Sequence, residues 1–125
     1  MPCEEVRKGW MTERLVDFAD GTIHAFTHAI HYGSGVFEGI RCYVTKDGPA
    51  VFRLDEHLRR MFDSARIYRM DVPFTPAETK QACLATIRHD NFDHCYLRPP
   101  VLRRFPCHGV NPPHGPVDLR HRGVG

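Results

Sequence analysis

Long apolar runs are missing from this 125-residue chain. No stretch exceeds four consecutive apolar residues, Ala82 to Ala85, whereas a helix needs about 20 to cross a bilayer. That excludes a membrane-spanning helix. The opening Met1-Pro2-Cys3-Glu4-Glu5 also lacks the basic-then-apolar order of a secretory leader. Cysteine is sparse and unpatterned: Cys3, Cys42, Cys83, Cys95 and Cys107 are five, an odd set with no C-x-x-C pair, so neither a disulfide framework nor a zinc ribbon is indicated. Reduced thiols in a cytoplasmic protein are the expectation. With 42% hydrophobic and 26% charged residues the chain reads as soluble and globular, and its length fits one domain.

The net charge of +2 hides an asymmetry. From Arg103 onward four arginines face one acid, Asp118, leaving 13 bases and 14 acids in residues 1–102. That 23-residue tail also holds four prolines, four glycines and three histidines, and Asn111-Pro112-Pro113-His114-Gly115-Pro116 cannot be a helix or a central strand, because proline lacks an N–H and fixes φ. Composition therefore divides the chain at 1–102 and 103–125. Four tail arginines interleaved only with histidine make a poor nucleic-acid surface, which needs aromatic stacking platforms beyond the single Phe105.

Within residues 1–102 the pattern is α+β. Arg14 to Phe18 and Thr22 to Phe26 alternate around Asp20-Gly21 and read as a hairpin. Gly39 to Val44 and Pro49 to Leu54 read as a second hairpin around Lys46-Asp47-Gly48. Asp55 can cap a helix in which Leu58, Met61, Phe62 and Ala65 share one face. Thr75-Pro76-Ala77-Glu78 carries a capping box and a first-turn proline, opening a helix to about Asn91. Cys95 to Leu102 has strand composition, interrupted at Pro99-Pro100.

Candidate chemistry is thinly marked. His24, His28 and His31 stand four and three apart, but Ile23 to Phe26 reads as strand and no carboxylate or cysteine completes a ligand set. His57 reads as helix packing. The segment from His31 to Arg41 frames Tyr32, Phe37 and Glu38 with Gly33, Gly35 and Gly39. Two readings stand: a pocket with aromatic walls and one fixed charge, or a structural loop between helix and strand. It is not a phosphate loop, since Gly33-Ser34-Gly35-Val36-Phe37-Glu38 fails G-x-G-x-x-G at its last position. Arg60 sits at the border of the apolar stripe, able to reach a cleft with a planar fork suited to phosphate, or else solvated. Tyr96 and Arg98 share a strand face and could present a hydroxyl and a guanidinium to a carboxylate.

Together these stretches resemble the branched-chain amino-acid aminotransferases, fold-type IV enzymes of pyridoxal 5'-phosphate. The motifs are His28-Ala29-Ile30-His31-Tyr32-Gly33, Val36-Phe37-Glu38-Gly39-Ile40-Arg41-Cys42-Tyr43, Val51-Phe52-Arg53-Leu54 with His57 and Arg60, Asp63-Ser64-Ala65, Tyr96-Leu97-Arg98-Pro99 and Gly109-Val110-Asn111-Pro112-Pro113. The resemblance implies the small N-terminal domain of that fold, antiparallel strands with two helices. It implies transamination of leucine, isoleucine and valine with 2-oxoglutarate, in a homodimer or higher homo-oligomer, with no nucleic-acid or membrane partner. By the same resemblance Arg60 would hold the cofactor phosphate, Phe37 and Gly39 would line the aliphatic pocket, and Tyr96 and Arg98 would face substrate, Arg98 taking the distal carboxylate of glutamate. Tyr32 and Val110 would be lent across the dimer interface.

The chain departs from that family in its lysines. Lys8, Lys46 and Lys80 are all it has, and none matches the catalytic lysine, which the family carries in a second, larger domain. The expectation is an inactive N-terminal piece. After Asn-Pro-Pro the family continues with a buried Ile-Ala-Ala strand and Trp-Gly. Here Leu119 to Gly125 can be encoded as CTC CGC CAT CGC GGC GTG GGG, which one base later reads Ser-Ala-Ile-Ala-Ala-Trp, so a frameshift near Asp118 is expected. A reading from another class is a cofactor-free interaction module that keeps the same fold.

Overall fold

A strand that must bury one face and wet the other alternates its side chains, and Ile40 to Thr45 does so: Ile40 and Cys42 are buried while Arg41 and Tyr43 are exposed. This strand organises the sheet. The computed structural model describes residues 8–11 and 14–104, and residues 117–124 as backbone. The elements run β1 Lys8–Met11, β2 Arg14–Asp17, a 3-10 turn Phe18–Asp20, α1 His28–Tyr32, β3 Gly35–Phe37, β4 Ile40–Thr45, β5 Gly48–Val51, α2 Leu54–Ile67, α3 Pro76–Asp90, β6 Cys95–Arg98, β7 Pro100–Arg103 and β8 Val117–Val124. All pairings are antiparallel in the order β2-β1-β8-β6-β4-β5, with β7 bridging β3 and β8. The expected α+β class holds, and α1 adds a third, short helix to the two expected.

The hairpin around Asp47-Gly48 is present, with Thr45 opposite Gly48 and Gly48 at φ 106°. The one around Asp20-Gly21 is not. Phe18–Asp20 closes a 3-10 turn instead, Gly21 N–H donating to the Phe18 carbonyl, and residues 21–26 are exposed coil. β2 pairs upstream with β1, whose Trp10 meets Phe74 edge-on at 5.3 Å and packs on the core. Apolar burial, which Thr22 to Phe26 could not supply, selected the partner.

α2 begins at Leu54, with Arg53 in the left-handed region as its N-cap and no side-chain cap. Asp55 is therefore not the cap expected. It lies in the first turn, where it favours the helix dipole and pairs with Lys80 at 2.9 Å. Buried Leu54 fixes the earlier start. Leu58, Met61 and Ala65 are buried as the spacing predicts, and Phe62 is partly buried against them. α3 opens with the expected capping box of Thr75 and Glu78. The two helices pack on each other, α3 also contacting β1 and β8. The core between helices and sheet is built from Ile40, Leu58, Met61, Cys83, Leu97 and Val101 among others.

Pro99 separates β6 from β7, so the apolar run becomes two strands in different pairings. β8, drawn from the Pro- and Arg-rich tail, lies between β1 and β6. Val110 and Asn111 to Pro116 fall outside the described residues, as do Cys3 and Cys107. No helix among the described residues is long and apolar enough to cross a membrane.

Candidate functional site

The tripeptide Phe37-Glu38-Gly39 links β3 to β4, and alternation sends its side chains to opposite faces. Phe37 is exposed on the open face of the sheet, whereas Glu38 turns inward and is only 4% exposed. A carboxylate so buried requires partners. Two residues of α2 supply them: Arg60 Nε and Nη2 donate to the two Glu38 oxygens at 2.6 Å each, and His57 Nδ1 lies 2.9 Å from Oε2. Positions 57 and 60 are i and i+3, hence on one helix face. Burial pushes the Glu38 carboxyl up, but the hydrogen bonds from Arg60 and His57 outweigh it and hold the group below its ordinary value. Glu38 in turn raises Arg60.

The Arg60 side chain is nevertheless 69% exposed. It borders an open depression of about 490 Å³, lined also by Arg53, His57 and Arg59. A guanidinium carries five N–H donors in a fixed plane. Two are spent on Glu38, so the remainder can meet an anion held from the solvent side, and the pair fixes the fork's orientation. That geometry and charge suit a phosphate group.

On the open face, β6 places Tyr96 and Arg98 beside the same tripeptide. The Arg98 guanidinium stacks 3.9 Å above the centroid of the Phe37 ring, and among the described residues it makes no ion pair. A Cβ built on Gly39 would fall on the Tyr96 hydroxyl, so only glycine lets the phenol lie there. Phe37, Gly39, Tyr96 and Arg98 are thus brought together, and Glu38 joins them to Arg60 through one residue.

Tyr32 ends α1, half exposed, its ring 4.5 Å from that of buried His28. Gly33, at φ 66°, then turns the chain left-handed and caps the helix. Val110 is outside the described residues. The three histidines hold this loop: His28 Nδ1 lies 2.5 Å from Ser34 Oγ, His31 Nε2 bonds the Ala25 carbonyl, and His24 Nδ1 accepts from the Phe26 N–H. The lysines stand elsewhere, Lys8 paired with Asp17 at 2.6 Å, Lys80 with Asp55, and Lys46 exposed in the β4–β5 turn.

Sequence reasoning missed Glu38 as the strut and limited His57 to packing; His57 in fact bonds Glu38. The signal was available. In an alternating strand the residue between two outward ones points inward, and an inward carboxylate demands a cation.

Comparison with known proteins shows the family to which the chain belongs. The model of the amino-transferase class IV family matches residues 35–108. The Branched-chain-amino-acid aminotransferase of Escherichia coli strain K12 is 44% identical over 106 residues, 85% of this chain and 34% of that protein. That of Pseudomonas aeruginosa is 46% identical over 93 residues, 74% of this chain and 30% of its own. A crystal structure of the Escherichia coli enzyme superposes with a TM-score of 0.92 at 39% identity, over 95% of this chain and 40% of that one. The T.th. branched-chain amino acid aminotransferase complexed with N-(5'-phosphopyridoxyl)-L-glutamate gives 0.92 at 38%, over 95% and 40%. The chain thus spans about a third of the length of the curated relatives it matches. With a family model over more than half of its residues, the chain belongs to the class IV aminotransferase family.

Proposed function

We propose that these residues form the substrate-facing small domain of a cytoplasmic transaminase, a homodimer or higher homo-oligomer, that moves nitrogen between branched-chain amino acids and 2-oxoglutarate with pyridoxal 5'-phosphate. The observation that carries this reading is the Glu38–Arg60 pair. It offers a fixed guanidinium to a phosphate one residue from Phe37 and Gly39, which touch Arg98 and Tyr96.

When bound, the cofactor supplies an electron sink for chemistry at the substrate Cα. Arg60 holds its phosphate and Glu38 keeps the guanidinium aimed. Phe37 and Gly39 leave an apolar slot for an aliphatic side chain, with the Tyr96 hydroxyl closing one wall. Arg98 meets the distal carboxylate of glutamate or 2-oxoglutarate, which otherwise would be desolvated without a partner. Tyr32 and Val110 reach a second copy's site. The proton carrier at Cα must be a lysine from outside this chain, because Lys8, Lys46 and Lys80 all stand away from the cluster.

That last fact favours a second reading, a non-catalytic interaction module on the same fold. One experiment separates them. Residues 14–104 of this chain replace the matching segment of the Escherichia coli branched-chain-amino-acid aminotransferase. The expected chimera retains pyridoxal phosphate by absorbance and forms glutamate from leucine and 2-oxoglutarate, and Arg60→Ala weakens cofactor retention at least about tenfold, the loss of one charge-assisted bond. A folded chimera that cannot retain the cofactor would remove the role given to Arg60. One that retains it and turns over no branched-chain substrate would leave the interaction module.

A further inference from the structure

A pair of thiols lies on the buried side of the strands that carry the site. Cys42 on β4 and Cys95 on β6 are direct partners in the antiparallel ladder, 2% and 5% exposed. Both are free, and each lies close enough to bias the other's ionisation. Cys83, the other described cysteine, sits on α3, outside the ladder. Residues directly opposed in antiparallel strands have Cα atoms about 4.5–5.5 Å apart, inside the range of about 4.4–6.8 Å that a disulfide spans. A small approach of the two strands is all that separates the thiols from a bond.

From this juxtaposition we propose that Cys42 and Cys95 form a reversible disulfide that staples β4 to β6 when the chain meets a peroxide. The atoms balance in two steps. One thiolate attacks the peroxide oxygen, breaking the O–O bond, forming a sulfenic acid and releasing hydroxide, which takes the thiol's proton to become water. The second thiol then attacks the sulfenic sulfur, and its proton leaves with the S–OH oxygen as a second water. Two electrons pass from the sulfurs to the peroxide, and a dithiol reductant reverses the change.

The placement determines rate and effect. Burial pushes both thiols up, Cys95 to about 12, so thiolate is scarce near neutrality and oxidation is slow. The opposite face of the same strands holds Arg41, Tyr96 and Arg98, so the staple fixes the spacing of the face that carries the candidate substrate groups. Cross-strand pairs have Cβ atoms about 4.5–5.5 Å apart, against about 3.8 Å in a relaxed disulfide. Closure therefore draws the strands together and leaves a bond that reductant opens readily.

This inference stands apart from the transaminase reading, and its test uses the 125-residue chain itself. Folded chain is treated with hydrogen peroxide, remaining thiols are alkylated, and the unfolded product is cut with trypsin. The expected product joins peptide 42–46 to peptide 89–103, each holding one cysteine, with the mass of two hydrogens missing. The urea midpoint of the oxidised chain should rise and return with dithiothreitol, while Cys42→Ala and Cys95→Ala show neither change. Peptides linked through Cys3, Cys83 or Cys107 instead, or Cys42 and Cys95 recovered fully alkylated, would overturn the proposal. So would a Cys42–Cys95 link made only when the peroxide is added in urea. If either variant fails to fold, the wild-type peptide map decides alone.

Discussion

Glu38 shows how much a single inward side chain governs. Its carboxylate is buried and ties together β3, β4 and α2, and its titration is held below the ordinary glutamate value of 4.5 by Arg60 and His57. A depressed carboxyl contributes stability that is fully present above its unfolded value and is lost as pH falls through the folded one. Glu38→Gln should therefore cost about 1–2 kcal/mol near neutrality, the lower part of the range for charge-assisted bonds because Arg60 reaches solvent. The gap between wild type and variant in urea unfolding should narrow below pH 4.5; a gap that widens on acidification would contradict this account. Gly39 makes a second test. Gly39→Ala drives a methyl into the Tyr96 hydroxyl, an overpacking costing about 1–3 kcal/mol. Tyr96→Phe should recover part of that loss in the double variant, read as non-additive unfolding free energies. For Arg98 the grafted enzyme is needed. Leaving a desolvated carboxylate unpartnered costs about 3–5 kcal/mol, so Arg98→Ala should slow the half-reactions of glutamate and 2-oxoglutarate far more than those of leucine, followed by absorbance in single-turnover mixing. Equal losses would make Arg98 a support for Phe37. Tyr96 and Arg98 were legible as candidates because their spacing shares a strand face, and Arg60 because it borders the apolar stripe of its helix; Glu38 was missed although alternation between Val36 and Ile40, both buried, turns it inward.

Helices and hairpins were legible where local chemistry and burial agree. Thr75 and Glu78 cap α3 reciprocally, and two of its buried polar groups satisfy themselves, Thr79 and Thr86 hydroxyls donating to the carbonyls four residues back at 2.9 Å. The Asp47-Gly48 turn closes where Gly48 takes a positive φ. Asp20-Gly21 offers the same dipeptide and fails, since nothing on Thr22 to Phe26 had a core to reach. The C-terminus of α2 could not be read at all. Its end is held from β7, where the guanidinium of Arg103, 5% exposed, donates to the carbonyls of Tyr68 and Arg69 at 3.0 and 2.7 Å. Arg69 itself has φ 51°. No sequence rule links positions 34 residues apart through a carbonyl. Arg103→Met keeps the stem but orphans both acceptors, and should destabilise by about 2–3 kcal/mol, with hydrogen exchange quickening in the last turn of α2 before the rest of the helix. Uniform quickening along α2 would mean Arg103 supports the core in general and not this end.

Among the described residues the sheet is one-sided. Its inner face meets α2 and α3, while its outer face presents Phe37, Tyr43 and Phe52 at 50–58% exposure, the last two ring-on-edge at 6.4 Å. The loop before and within α1 adds Phe26, Ile30 and Tyr32, each more than half exposed. Contiguous apolar patches beyond a few hundred Å² seldom stay bare in water. The sheet edges are poor routes to association: β5 carries Pro49, which offers no N–H, β2 ends in Arg14 and Asp17, and the third edge, β3, is only three residues long. Self-association of the 125-residue chain should therefore run through faces. Size-exclusion with light scattering should give a mass above 14.4 kDa that grows with concentration, accompanied by fluorescence of a dye that binds apolar surface. Phe52→Glu, placed where the ring is exposed, should lower both signals without shifting the unfolding free energy by more than about 0.5 kcal/mol, the usual effect of a surface change. A chain that stays monomeric and dark to the dye at every concentration would show that the continuous apolar surface is smaller than the ring exposures imply. Association that persists unchanged in Phe52→Glu would move the contact to the α1 loop, where Phe26→Glu should then abolish it.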